Sequence, residues 1–221
     1  MADQKYIAIG DIHGCYQSLE ALLNKLEAHT DRQFIFIGDY VDRGPASQKV
    51  VEHLMELQQQ VDCVFLRGNH EQMLLDAFNE GQFKLWMANG GKTTLKSYGI
   101  DRFGSLPGNH LEFYNQTKLY YDTEDYFFVH AGLSAAKTIK ESLQDEEEVE
   151  GFLWERSHLN AFETPWEKKV VFGHTPRPQP IRKNGMLGID TGCVFDKVGY
   201  GKLTAVKLPE EEFIQQICLD R

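Results

Sequence analysis

The sequence predicts an α/β fold, and three observations carry that expectation: short β-branched and aromatic runs ending in Gly, Asp, Asn or His, amphipathic stretches between the first of them, and polar residues gathered at their ends. The first run, Tyr6 to Ile9, reads as a buried strand, and Leu19, Leu22, Leu23 and Leu26 then keep one helical face. Phe34 to Ile37 is the second strand, followed by a helix on Val50, Val51, Leu54 and Leu57. Cys63 to Leu66 is the third, followed by a helix on Met73, Leu74 and Ala77. Helical crossovers between successive strands imply parallel pairing. Pro45 suits a helix first turn and Gly81 a helix stop. Phe83 to Asn115, punctuated by Asn89-Gly90-Gly91 and Pro107-Gly108, reads as helical and irregular cover. Tyr126 to Val129, Val170 to Phe172, Met186 to Ile189 and Leu203 to Leu208 bring the sheet to about seven strands, the last alternating less cleanly and so placed near an edge.

The composition agrees with a soluble globular chain. Of 221 residues, 42% are apolar and 25% charged, and 23 Lys and Arg stand against 33 Asp and Glu for a formal charge of −10. That acidic balance excludes a general nucleic-acid binder, which needs a basic face for backbone phosphates. No linker or internal repeat divides the chain, so residues 1–221 are expected to form one domain. Tyr6 to Ile9 is too short for a signal-peptide core, and no run approaches the roughly 18 apolar residues of a membrane span. The four cysteines, at 15, 63, 193 and 218, show no CxxC pairing, which argues against a zinc knuckle or disulfide framework and for reduced thiols in a cytoplasm. Cys15 and Cys193 lie near the candidate site in sequence and are expected to pack. The acidic run Asp145 to Glu148 reads as a solvated helix face.

The chemistry lies at the strand ends. Gly10-Asp11-Ile12-His13-Gly14 follows the first strand, Gly38-Asp39-Tyr40-Val41-Asp42-Arg43-Gly44 the second, and Gly68-Asn69-His70-Glu71 the third. Two later runs end in His130-Ala131-Gly132 and Gly173-His174-Thr175-Pro176. Open α/β sheets bind ligands at the carboxyl ends of their strands. Asp11, His13, Asp39, Asn69, His130 and His174 thus converge as oxygen and nitrogen donors without a thiolate, a set suited to two divalent ions about 3.5–4 Å apart sharing a carboxylate. Any one of these residues could be a turn former, a helix cap or a hydrogen-bonded loop histidine; five such motifs in succession favour the metal centre. Two divalent ions would leave a positive field that, with Arg43, favours a phosphate ester, and could activate water between them for in-line displacement. His70, beside Asn69 but outside the ligand set, is placed to protonate the leaving alkoxide, with Asp42 orienting it. The other histidines, at 29, 53, 110 and 158, lack partners at ligand spacing and read as structural or exposed.

These motifs, GDIHG, GDYVDRGP, RGNHE, HAG and GHTP in this order, resemble the phosphoprotein phosphatase family of binuclear metallophosphoesterases. The stretches WMANGGKTTLKSYG, LWERS, IDTGCVF and LTAVKL extend the resemblance from about Ala8 to Leu208, toward the small bacterial and bacteriophage lambda type serine/threonine phosphatases. The resemblance implies a two-sheet β-sandwich flanked by helices. It implies that Asp11, His13 and Asp39 hold one metal, and Asp39, Asn69, His130 and His174 the other. It implies that Arg43 and Arg156 grip the phosphate beside Asn69, that His70 and Asp42 form a proton-donating dyad, and that manganese, or else iron or zinc, fills the centre. Only the W-x-R pattern of Trp154-Glu155-Arg156 selects Arg156.

A phosphorylated protein is the substrate so implied, on Ser/Thr and with Tyr left open. Symmetrical dinucleoside tetraphosphatases share the first motifs, and such an enzyme, or another nucleotide phosphohydrolase, is the alternative. Nucleases of the wider superfamily end in G-H-x-H, where this chain has Pro176. An inactive metal-binding module would have no need of His70 and a filled ligand set. The dozen residues after Leu208 show no regulatory domain, and the oligomeric state is not readable from the sequence.

Overall fold

The computed structural model describes residues 4–27, 31–101, 104–183 and 185–220. Its first half is the expected alternation: β1 (Tyr6–Ile9), α1 (Tyr16–Leu26), β2 (Gln33–Phe36), α2 (Ser47–Leu57), β3 (Cys63–Phe65) and α3 (Asn69–Glu80). β1 pairs in parallel with β2, and β2 with β3. Gly81 ends α3 in the left-handed conformation. Pro45 precedes α2, which starts two residues later at Ser47. The cover consists of α4 (Phe83–Ala88), α5 (Gly91–Tyr98) and α6 (Gly108–Gln116).

The second half supplies β4 (Tyr120–Asp122), β5 (Tyr126–Val129), α7 (Ile139–Ser142), α8 (Glu146–Gly151), a 3-10 turn at Ser157–Asn160, β6 (Lys169–Phe172), β7 (Ile181–Lys183), β8 (Met186–Gly188), β9 (Lys202–Leu208) and β10 (Glu212–Ile217). Asp145 caps α8 by accepting from the amides of Glu147 and Glu148, so the acidic run is a solvated helix start.

The ten strands among the described residues form two sheets, ordered β10-β9-β1-β2-β3 and β4-β5-β6-β8-β7. This corrects the single sheet of about seven strands read from periodicity. β4, β7 and β10 escaped notice because they are short or half-exposed edge strands without a continuous apolar face. β9 is interior, not an edge: it pairs antiparallel with both β1 and β10, and Leu203 to Val206 are all buried. The segment after Leu208 is therefore structural. It makes the hairpin partner of β9, and Asp220 then accepts from the amides of Gln17 and Ser18 at the start of α1.

Strand alternation sorts the core into layers. Ile7, Ile9, Phe34 and Phe36 face α1, α2 and α3, whereas Tyr6, Ala8, Ile35 and Ile37 face Phe128, Val171, Leu187 and Ile189 across the gap between the sheets. Phe127, Val129, Val170 and Phe172 point to the far side, under Ile139, Phe152 and Trp166. The parallel triplets β1-β2-β3 and β5-β6-β8 send their carboxyl ends to a shared edge, where the site forms. No helix among the described residues is long and apolar enough to cross a membrane.

Candidate active site

All six expected ligand residues are buried and meet at that edge. Asp39, from the loop after β2, lies at the centre with its two oxygens turned to opposite neighbours: Oδ2 is 3.4 Å from His13 Nε2 and Oδ1 is 3.4 Å from His130 Nε2. On the His130 side, Asn69 Oδ1 is 3.0 Å from His130 Nε2 and 2.9 Å from His174 Nδ1. On the other side, Asp11 accepts the His174 amide at 3.0 Å.

The backbone fixes which histidine nitrogens are presented. His13 Nδ1 donates to the Val41 carbonyl at 2.8 Å and His130 Nδ1 to that of Ile37 at 2.9 Å, leaving each Nε2 as a lone-pair donor toward Asp39. Burial holds the imidazoles of His13, His130 and His174 below their usual protonation range, the last near 2, so they are neutral at ordinary pH and able to offer a lone pair to a cation. Burial, then Asp190 and Asp39, push the Asp11 carboxyl well above the usual range. For Asp39 burial acts upward, but His130, His70 and His13 outweigh it and hold the carboxylate well down.

This donor set suits divalent cations. Crowded carboxylates and neutral imidazoles need positive charge between them, and His174 Nε2 is buried without a hydrogen-bond partner among the described residues. Asp39, His13 and His70 form one close group of candidate ligand atoms, and Asp39, His130 and His174 another.

Close backbone approach and left-handed residues shape the cradle. His13, Asp39, Asp42, Arg43 and His174 all have positive φ, a conformation costing on the order of 1–3 kcal/mol per non-glycine residue and concentrated at sites that need it. A Cβ built on Gly173 would overlap an oxygen of Asp11. Gly173→Ala is therefore expected to displace Asp11 and lower turnover by about 10²-fold, the usual cost of a 1 Å misplacement, with the far-ultraviolet circular dichroism unchanged. Gly151→Ala, with nothing near the added carbon, is the control expected to match the parent.

His70 stands beside the ligands, its ring edge-on to His13 at 4.7 Å between centroids. Its Nδ1 is 2.7 Å from Asp42 Oδ2. Burial opposes its charge, but Asp39 and Asp42 prevail, and its protonation range is raised above 6.5. Arg43 Nη1 lies 2.6 Å from His13 Nε2, and Arg156 Nε donates to Thr175 Oγ1 at 3.2 Å, so both arginines border the site. Trp154 meets the His174 ring at 6.0 Å.

Four further residues complete the arrangement. Glu71 accepts from the amides of Asp39 and Tyr40 at 2.8 Å and of Gly68 at 2.9 Å, bracing the loops after β2 and β3 against each other. Trp86 Nε1 and Thr94 Oγ1 donate to Asp42 at 2.9 and 2.6 Å, so the helical cover anchors the Asp42 carboxylate against His70. Asp190 lies after β8, buried against Asp11, its carboxyl pushed up to about 7 by burial. Asp190 had a visible signal as a carboxylate ending a sixth strand run; Trp86 and Thr94 had none, because only tertiary packing brings α4 and α5 over Asp42. Of the remaining histidines, His53 is half-buried against Tyr16, His110 contacts Tyr98 Oη at 2.8 Å, and His158 is packed on Phe172; His29 lies outside the described residues. The four cysteines are free thiols, without the disulfide framework their spacing argued against, and Cys15, Cys193 and Cys218 come together in the fold, which their spacing did not signal.

A family model described as calcineurin-like phosphoesterase matches residues 5–198. The asymmetrical bis(5'-nucleosyl)-tetraphosphatase PrpE of Oceanobacillus iheyensis is 30% identical over 233 residues, covering 93% of this chain and 89% of that protein. The protein of the same name from Bacillus mycoides is 30% identical over 239 residues, covering 95% and 93%. A crystal structure described as a candidate diadenosine tetraphosphatase superposes with a TM-score of 0.72 at 24% identity, over 100% of this chain and 96% of that one. A protein serine/threonine phosphatase of Saccharomyces cerevisiae superposes with a TM-score of 0.64 at 16% identity, over 99% and 81%, and shares the fold.

Proposed function

The chain belongs to the calcineurin-like phosphoesterase family, and on that footing we propose that it is a metal-dependent hydrolase cleaving dinucleoside tetraphosphates asymmetrically. The observation that carries the substrate is the similarity, along nearly the whole chain, to relatives named for that activity. The phosphoprotein expected from the motifs becomes the second substrate, favoured by the GDYVDRG and GNHE wording. The alternative anticipated from the sequence was a symmetrical dinucleoside tetraphosphatase or another nucleotide phosphohydrolase; the relatives, named for the asymmetrical reaction, favour that nucleotide class.

Asp11, His13 and Asp39 would hold one divalent cation, and Asp39, Asn69, His130 and His174 a second, manganese being the ion proposed. Such ions supply charge stabilisation of phosphoryl oxygens and activation of water. The chain's own groups do the rest. Arg43 and Arg156 bind the polyphosphate and orient the scissile group for in-line attack. His70, unpartnered at Nε2, donates a proton to the departing oxygen. Asp42, fixed by Trp86 and Thr94, keeps the opposite nitrogen protonated and the ring aimed. We place the protein in the cytoplasm, in keeping with its four free thiols.

Because Asp39 and then Asp42 raise the protonation range of His70, kcat is expected to fall along an alkaline limb as that acid is lost with rising pH. Asp42→Asn is expected to move that limb to lower pH, and an unmoved limb in a pH series would remove Asp42 from the dyad. The substrate is tested by comparing kcat/KM of the manganese-loaded protein for diadenosine tetraphosphate, a phosphoserine peptide and a phosphotyrosine peptide. A preference of at least about tenfold for the dinucleotide, roughly 1.4 kcal/mol in the transition state, is expected. A preference for either peptide would return the protein to phosphoprotein chemistry.

A further inference from the structure

Three thiols spaced far apart in the chain meet in the fold. The Sγ atoms of Cys15, Cys193 and Cys218 each lie within 4.8 Å of the other two. Cys15 stands at the N-cap of α1, Cys193 follows the turn Asp190-Thr191-Gly192, and Cys218 follows β10. The hairpin of β9 and β10 creates the meeting by returning the chain end to the start of α1. Cys193 lies close to both other thiols and beside Ser18, whose hydroxyl donates to Asp220 at 2.5 Å and accepts from the Leu219 amide at 2.9 Å. Cys15 and Cys193 are buried and Cys218 is half-buried, which gives the pocket a wall to the outside.

We propose that this pocket is a second, separate metal site, in which Cys15, Cys193 and Cys218 bind one thiophilic d10 divalent cation of the zinc group, with Ser18 at the fourth position. Tetrahedral ligation with metal–sulfur bonds of about 2.3 Å separates the sulfurs by about 3.8 Å, so thiols already within 4.8 Å need only small rotations to close on an ion. Three thiol protons pass to solvent as three metal–sulfur bonds form, and the site goes from neutral to a net charge of −1. The positive end of α1, at Cys15, offsets that charge. Thiolates select soft ions, whereas the cluster around Asp39 offers only oxygen and nitrogen, so the two sites sort different metals. A disulfide would use two of the three thiols and leave the third unmatched. Cys15 is two residues from His13 and Cys193 three from Asp190, so an ion here ties two active-site loops to the C-terminal strand.

The test is a Cd²⁺ titration of the reduced full-length protein, following the ultraviolet thiolate-to-metal charge-transfer band, which the cluster around Asp39 cannot produce. One equivalent per chain is expected to saturate the band. Cys193→Ser and Cys218→Ser should each abolish or sharply reduce it, whereas Cys63→Ser, in β3, and Asp39→Asn should leave it intact. If Cys193→Ser does not fold, Cys218→Ser, at the half-buried position, decides. Absence of the band on folded, reduced protein at several equivalents overturns the proposal, as does a band surviving both substitutions. Formation of a disulfide by hydrogen peroxide (two thiols and H2O2 giving a disulfide and two waters) in a chain that shows no cadmium band overturns it as well.

Discussion

Asp39→Asn is expected to remove both divalent ions and with them all measurable turnover. Its two oxygens face His13 on one side and His130 on the other, so neutralising this one carboxylate weakens two ligand sets together. Retention of both ions per chain, measured by atomic emission on desalted protein, would contradict the shared role. A loss confined to one ion would assign Asp39 to a single set.

His70→Asn is expected to keep both ions and lower kcat by about 10²–10⁴, the range general acid catalysis supplies. The size of the loss should follow the leaving group. An alkyl phosphate departs as a strongly basic alkoxide and needs the proton most, whereas p-nitrophenolate and a nucleotide phosphate leave with little help. The deficit should therefore be largest for alkyl phosphates, and equal deficits across the three would count against His70 as the acid. Asn is chosen because the neighbouring Asp42 remains held by Trp86 and Thr94, which keeps the pocket walls in place.

Much of this site is legible in the sequence because its residues sit at the ends of strongly patterned strands. Asp11, Asp39 and Asn69 follow three runs whose parallel order is dictated by the helices between them, and His130 and His174 repeat the arrangement in the second sheet. Periodicity alone could not divide the strands between two sheets. That division depends on which face of β1, β2, β5 and β6 packs inward, and every one of these strands is buried on both faces, erasing the alternation. β9 looked like an edge because Lys207 breaks the apolar alternation that Leu203 and Ala205 begin. Its neighbour β10 covers it with half-exposed residues that carry no strand signature of their own. The thiol cluster and the contacts of Trp86 and Thr94 with Asp42 depend on long-range closure, for which local spacing holds no record.

The motif wording pointed to a phosphoprotein substrate, whereas the similarity along nearly the whole chain points to a dinucleotide. The proposed machinery accounts for the difference: metal ligands, a proton-donating dyad and phosphate-gripping arginines would recognise a phosphoryl group and its leaving oxygen, which both substrates share. The rest of the substrate lies beyond these motifs.

The most direct measurement is therefore the product pattern from diadenosine tetraphosphate incubated with manganese-loaded protein and separated by ion-exchange chromatography. ATP and AMP in equal amounts are expected. Two ADP per substrate would contradict asymmetrical cleavage, and intact dinucleotide in the presence of orthophosphate release from a phosphopeptide would contradict the substrate class.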